Sequence, residues 1–305
     1  MTIGRDLIQD SYAAVVELVK NAYDADSEQV TIKFEAVAEC GIFKVTISDT
    51  GHGMSREVVI DKWMVPSTRD KLDRKKSPGG RNLQGRKGVG RYAASILGDN
   101  LLLETIRDES KTTVYIEWST FETSDYLDEV EILIETKSTA EAAGTNLYIT
   151  GDNNQIVEWS TDEFRKLKIE LKKLIPPKYN KKIAVSNESF DIRLIIEGFG
   201  KSDTNEIIEP FPIFDLYDYR ISGFINSNGQ GILNYSTQKL KNTSNETIVI
   251  NLGYPTECGN LNFDIRVYDR EPDAIQQLID RGLKDEEGNF VGRLGNPPIF
   301  SCAQK

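Results

Sequence analysis

The feature that limits the fold most is a pair of apolar, β-branched runs, Val30–Ala36 and Ile42–Ile47, joined by a short acidic turn that ends at Gly41. A parallel crossover takes a dozen or more residues, so runs this close fit an antiparallel hairpin. The theme repeats along the chain. Strand-like runs follow at Leu101–Arg107, Thr113–Trp118, Val130–Thr136 and Thr145–Thr150, then at Phe190–Ile196, Tyr219–Asn226, Gly231–Ser236, Thr247–Asn251 and Asn262–Asp269. Hairpins outnumber crossovers, which predicts an α+β protein with mainly antiparallel sheets and argues against Rossmann and P-loop folds.

Helices are fewer. Apolar residues recur at three-to-four spacing from Asp6 to Ala25, Ser55 is placed to cap a short helix through Trp63, and Val89–Leu97 reads as another. Ser160-Thr-Asp-Glu163 has the form of a capping box, and its helix runs to Ile175, before Pro176 and Pro177. A last helix is expected from Pro272 to Arg281. The 305 residues suit two domains, with the boundary in the Lys-rich stretch 178–186, giving domains 1–177 and 178–305. The end of the sequence has no readable closing helix, so a piece of a longer protein is expected.

Charge and cysteines narrow the function. The net charge is −11, which disfavours a broad nucleic-acid-binding face. The charge is uneven. Between Val65 and Arg91 nine Lys and Arg stand against two Asp, a local +7 on a chain that is otherwise −18. No run is apolar enough to span a membrane, and the N-terminus lacks an export signal. Cys40, Cys258 and Cys302 form no C-x-x-C pair and have only His52 to join them, so reduced, buried thiols in a cytoplasmic protein are expected.

Three stretches carry chemistry. In the first helix Glu17, Asn21 and Asp24 share one face. A carboxamide oxygen there suits a hard cation and a carboxylate suits proton transfer from water, although an ordinary solvated helix face has the same letters. Asp49-Thr-Gly51-His-Gly53-Met54 follows a buried-looking strand. An Asp at a strand end can accept from a purine amine, and glycines admit a flat ligand, but Asp-x-Gly is also turn chemistry. His52 fits a solvent-facing loop residue. Gly85-Arg-Lys87-Gly88-Val89-Gly90 leads into a helix N-terminus, where free N–H groups and the dipole favour an anion. It lacks the Walker A order. Residues 65–90 are basic and without apolar periodicity, and so long an irregular stretch is usually functional.

In this order the three stretches resemble the GHKL (Bergerat-fold) ATPase superfamily, which includes gyrase B subunits, ninety-kilodalton heat-shock chaperones, histidine kinases, MutL proteins and MORC ATPases. Gly144-Thr145 opening a strand is a fourth likeness, and Ser67-Thr68-Arg69 is similar to the Ser-Thr-Lys stretch of chaperone and MORC members, with Arg for Lys. The resemblance covers roughly residues 5–175 and implies a Bergerat-type α/β sandwich, an antiparallel-rich mixed sheet with helices on one face, followed by a strand-rich, transducer-like domain. It implies ATP and Mg²⁺ as ligands, with Asn21 holding the metal and Asp24 in the pocket. Asp49, Gly51, Gly53, Met54 and Thr145 would lie on the adenine side. Ser67, Thr68, Arg69, Gly85, Lys87, Gly88, Val89 and Gly90 would lie about the phosphates, and Glu17 would be the general base. The absence of a phosphoacceptor helix favours the hydrolysing branch, with a lid at 65–90 that closes over ATP and drives homodimerisation. Histidine-kinase-type phosphotransfer and a non-hydrolysing ATP module stay as alternatives. Lys201, Lys239, Lys241 and Arg270 are candidates for a γ-phosphate contact by location only.

Overall fold

The computed structural model describes residues 10–64, 76–84, 90–123, 132–175, 190–210, 217–238, 245–257, 259–269, 271–280 and 284. Helix α1 (Ser11–Asp24) precedes strands β1 (Gln29–Val37) and β2 (Ile42–Asp49), then a helical turn Arg56–Val58 that widens into a π-helical turn, Val59–Trp63. Next come α2 (Gly90–Leu97), β3 (Asn100–Arg107), β4 (Ser110–Glu117), α3 (Trp118–Thr123), β5 (Ile134–Ser138) and β6 (Gly144–Gly151). Helices α4 (Asn153–Glu158) and α5 (Thr161–Leu174) lead to β7 (Asp191–Glu197) and β8 (Thr204–Ile207). The chain ends its described part with β9 (Tyr219–Ile225), β10 (Gln230–Thr237), β11 (Asn245–Asn251), β12 (Leu261–Val267) and α6 (Pro272–Asp280).

The first eight strands form one sheet in the order β5-β4-β3-β6-β2-β1-β7-β8. Every neighbour is antiparallel except β1 and β7, which run parallel. The expected boundary near 178–186 therefore needs correction. Phe190–Ile196 does not open a second domain; β7 pairs with β1 through Val30–Ile192, Ile32–Leu194 and Phe34–Ile196, and the first unit comprises Met1–Pro176 with Ala184–Pro210. Pairing wins because Ile192, Leu194 and Ile196 alternate on one side of β7 and need a buried face.

That face is the core. Val30, Ile32 and Phe34 of β1 lie beside Phe43, Val45 and Ile47 of β2, with Leu147 and Ile149, Leu101 and Leu103, and Val114 and Ile116 across the rest. Each such side chain contributes roughly 1.5–3 kcal/mol when fully buried. Helix α1 covers the core with Ala14, Val15, Leu18, Val19 and Ala22, a 3.6-residue stripe, and packs on α2 and α5. Phe34, Trp159 and Phe164 stand 4.5–5.1 Å apart between ring centres and lock α4 and α5 to the sheet. The opposite face is polar and carries a ladder of ion pairs, Lys33 with Glu35 and Glu197 and Lys111 with Glu104.

Caps set the helix ends. The Ser160 hydroxyl accepts from the Glu163 N–H at 3.4 Å, but the Glu163 carboxylate takes Lys166 at 2.7 Å. The full reciprocal box is Asp152 with Gln155 at α4. The second unit, which includes Phe211–Lys305, holds a separate antiparallel sheet in the order β11-β10-β9-β12. Within it Asp264 takes both Arg220 and Arg266 in paired hydrogen bonds of 2.8–3.1 Å. Cys40 is exposed rather than buried, because it sits in the turn between β1 and β2; Cys258 and Cys302 lie outside the described residues.

Candidate functional site

The core face of the first sheet ends in a polar row. Going outward along β2 the inward residues run Phe43, Val45, Ile47 and then Asp49; along β6 they run Ile149, Leu147 and then Thr145; along β3, Leu101, Leu103 and then Thr105. Registers Asp49–Thr145 and Thr145–Thr105 place the three polar residues side by side on adjacent strands. Thr105 is fully buried and Thr145 is 9% exposed.

Hydrogen bonds tie this row to the Asp49–Met54 turn. The Gly51 N–H donates to Asp49 Oδ1 at 2.8 Å, and the Met54 N–H donates to Thr105 Oγ1 at 2.8 Å. Thr105 Oγ1 in turn donates to the Gly144 carbonyl at 3.3 Å and lies 3.1 Å from Thr145 Oγ1. Burial pushes the Asp49 carboxyl up to about 6, against the pull of the Gly51 N–H, the nearby His52 and the Thr145 N–H. At neutral pH Asp49 is therefore mostly an ionised, acceptor-only group.

The two glycines also answer to the approach of the protein's own backbone. A Cβ on Gly51 would fall 2.6 Å from the Ala25 carbonyl oxygen, and one on Gly53 would fall 2.0 Å from the Ile106 carbonyl oxygen. Gly53 also has φ +61°. Both positions are fixed by approach of the protein backbone, from the end of α1 and the end of β3. His52 is half-buried: its N–H donates to the Ala25 carbonyl at 3.0 Å, and its Nδ1 lies 2.9 Å from the Gly53 carbonyl. The turn is thus strapped to the C-terminal end of α1.

On α1, Glu17 and Asn21 stand one turn apart and half-buried. Lys20 Nζ lies 2.7 Å from Glu17 Oε1. Asp24 is 7% exposed and accepts from the Gln84 N–H at 2.8 Å. The resemblance implies a pocket role for Asp24; its carboxylate also fixes the backbone ahead of the glycine-rich stretch. Gly90 opens α2. Ser67, Thr68, Arg69, Gly85, Lys87, Gly88 and Val89 lie outside the described residues, as do Lys239, Lys241 and Arg270; Lys201 is exposed on a 3-10 turn of the first unit.

The residues fit a purine nucleotide with a hard cation. Asp49 supplies a half-buried carboxylate that an exocyclic amine could meet, and Asn21 supplies a carboxamide oxygen. No group of three His, Cys, Asp or Glu able to hold a metal occurs among the described residues, so a cation here would lean on substrate phosphates. Thr105 and Arg81 escaped the sequence reading. Thr105 had a signal: it follows Leu101 and Leu103 at the inward positions of an apolar strand. Arg81, counted only among basic residues, is 6% exposed.

Comparison with known proteins finds relatives of the first unit. The family model of histidine kinase-, DNA gyrase B-, and HSP90-like ATPases matches residues 9–146. The chaperone protein HtpG of Nitrosomonas eutropha is 31% identical over 138 residues, covering 38% of this chain and 21% of its own length. The DNA mismatch repair protein MutL of Streptococcus mutans serotype c is 42% identical over 55 residues, 18% of this chain and 8% of its own. The chain thus spans less than a quarter of the curated relatives it matches. The N-terminal domain of a DNA repair protein superposes on 78% of this chain and 70% of its own at 15% identity and a TM-score of 0.43, a general likeness only. Through the segment 9–146 the chain is similar to the histidine kinase-, DNA gyrase B-, and HSP90-like ATPases.

Proposed function

We propose that this chain is a GHKL ATPase-superfamily member that binds Mg-ATP over the polar row and hydrolyses it slowly to ADP and phosphate. The observation that carries the reading is Asp49, a carboxylate kept at the end of a buried strand with one oxygen held by Gly51. An anion in that place is costly unless a ligand donor meets it, and the amine of adenine is such a donor. Guanine presents an acceptor there, so the same group selects adenine.

Asn21 would hold Mg²⁺ together with the phosphates, and the ion would neutralise charge that develops on them. Glu17 is the group on α1 suited to take a proton from an attacking water. Lys20 occupies its Oε1, which leaves Oε2 to accept from the water and fixes the carboxylate plane. The water's proton passes to Glu17, its oxygen bonds to the γ-phosphorus, and the electron pair of the breaking P–O bond leaves with ADP. The family resemblance supports closure of the basic stretch 65–90 over ATP and ATP-dependent pairing of two copies. It also supports a transducer-like role for the second unit and a cytoplasmic setting.

The test is γ-labelled ATP with Mg²⁺, followed into free phosphate and into protein, beside Glu17→Ala. Free phosphate that vanishes in the variant is the expected result. Label retained on protein would favour phosphotransfer, and binding without either product would favour a non-hydrolysing module.

A further inference from the structure

Residues 76–84, a described part of the basic stretch, are built as a clamp. Lys76 bridges Asn82, the Ser77 N–H donates to the Arg81 carbonyl at 2.8 Å, and the Arg81 N–H returns to Ser77 Oγ at 2.9 Å. This tight hairpin grips the last turn of α1 at three points. Ser77 Oγ and the Gly79 N–H donate to the two oxygens of Asp26, the latter at 2.8 Å. The Gln84 N–H donates to Asp24 at 2.8 Å. Arg81 is buried and donates from one guanidinium nitrogen to the Ser27 carbonyl at 2.7 Å and the Tyr23 carbonyl at 3.3 Å. Its Cζ lies 4.9 Å from the centre of the Tyr23 ring and 5.9 Å from that of Phe190.

A cation at these carbonyls sits just past the C-terminal, negative end of α1, where it is favourably placed against the helix dipole. The same end of α1 holds the Asp49 turn, because the His52 N–H donates to the Ala25 carbonyl and Gly51, with no Cβ, lies close against it. We infer that Arg81 is a positioning residue: not a phosphate ligand, it fixes the end of α1 so that Asn21 and the Asp49–Gly53 turn keep the geometry a nucleotide needs. The inference deepens the proposed ATP site and rests on that reading only in its binding arm.

The experiment compares the full chain with Arg81→Ala, Arg81→Lys and Asp26→Asn, by amide hydrogen exchange without nucleotide and by ATP binding with Mg²⁺. Asn keeps the left-handed backbone of Asp26, φ +60°, while removing the carboxylate. In Arg81→Ala, exchange over 20–30 and 49–54 should rise at least about tenfold. Exchange in the β9–β10 hairpin should stay unchanged, and ATP affinity should fall about ten- to hundredfold. Lys keeps the charge without the planar stack, so it should restore less than half of that loss. Unchanged exchange over 49–54 in a variant whose 76–84 segment has loosened would overturn the clamp, as would full rescue by Lys. If Arg81→Ala does not fold, Asp26→Asn decides by the same readings. A parent protein that fails to bind ATP overturns the functional proposal, while exchange still judges the clamp.

Discussion

Asp49 makes the sharpest prediction, because the structure ties one proton to both stability and binding. Its carboxyl has an ordinary value of 3.8 and is raised to about 6 in the folded chain. Between those values the native state holds the proton more firmly than the unfolded state. Stability therefore falls as pH rises from about 4 to about 6, and stays lowered above it. Two pKa units correspond to about 3 kcal/mol. Replacing Asp49 by Asn removes the penalty, while the amide oxygen can still accept from Gly51. At pH 7 the variant should melt higher than the parent, by about 2–4 °C per kcal/mol for a unit of this size. That advantage should shrink toward pH 4. Binding runs in the opposite sense under the proposed function, in which the ionised oxygen accepts from adenine. With a pKa near 6, the ionised fraction drops about tenfold between pH 7 and pH 5, and ATP affinity drops with it. Calorimetry on parent and variant across pH 5–8 tests this, the ratio of the two affinities cancelling the titration of the phosphates themselves. A ratio that stays flat over that range, or a variant with parental affinity, would refute the role given to Asp49.

Three further substitutions probe other parts. Glu17→Ala should retain ATP binding and lose about 10²–10⁴-fold in turnover, measured as phosphate release; undiminished release would remove Glu17 from the mechanism. Gly53→Ala places a Cβ 2.0 Å from a carbonyl oxygen at φ +61°, and should cost on the order of 3–5 kcal/mol by denaturant unfolding. A smaller loss would show that β3 and the turn can part at little cost. Thr105→Val keeps the shape but leaves the Met54 N–H and Gly144 carbonyl without their hydroxyl partner, which should cost about 1–3 kcal/mol; a neutral effect would mean water replaces it.

Much of this was legible in the sequence for physical reasons. Hairpin spacing announced the antiparallel sheet, and Val30, Ile32 and Phe34 alternate at the two-residue period that a buried face demands. Asp49 could be seen because a charge directly after Val45 and Ile47 contradicts the apolar pattern. What stayed hidden depends on distant partners. β7 looked like the start of a new domain, since nothing in Phe190–Ile196 says that its neighbour is β1, some 160 residues earlier. α4 is only six residues long and is defined by its Asp152 cap rather than by apolar periodicity. Arg81 has the same letter as its solvated neighbours; only the carbonyls at the end of α1, more than fifty residues away, make it a buried group.

The cost of holding Asp49 explains why the turn around it is so tightly fastened. An ionised carboxylate in a half-buried place can be relieved by drawing in water or by swinging outward, and either would dull the choice of adenine proposed for it. Swinging is opposed by the Gly51 N–H on one oxygen and by the strand register with Thr145. Loosening of the turn is opposed from two sides. Gly51 and His52 are pressed against Ala25, and Gly53 is pressed against Ile106. Ala25 is a firm support only if the end of α1 is itself held, and the contacts of Asp24, Asp26 and Arg81 provide that hold. The dependence therefore runs from a basic hairpin, through the last turn of a helix, to one carboxylate. Loss of any link should lower selectivity for ATP over GTP before it unfolds the domain, because the apolar core beneath the polar row is complete without it.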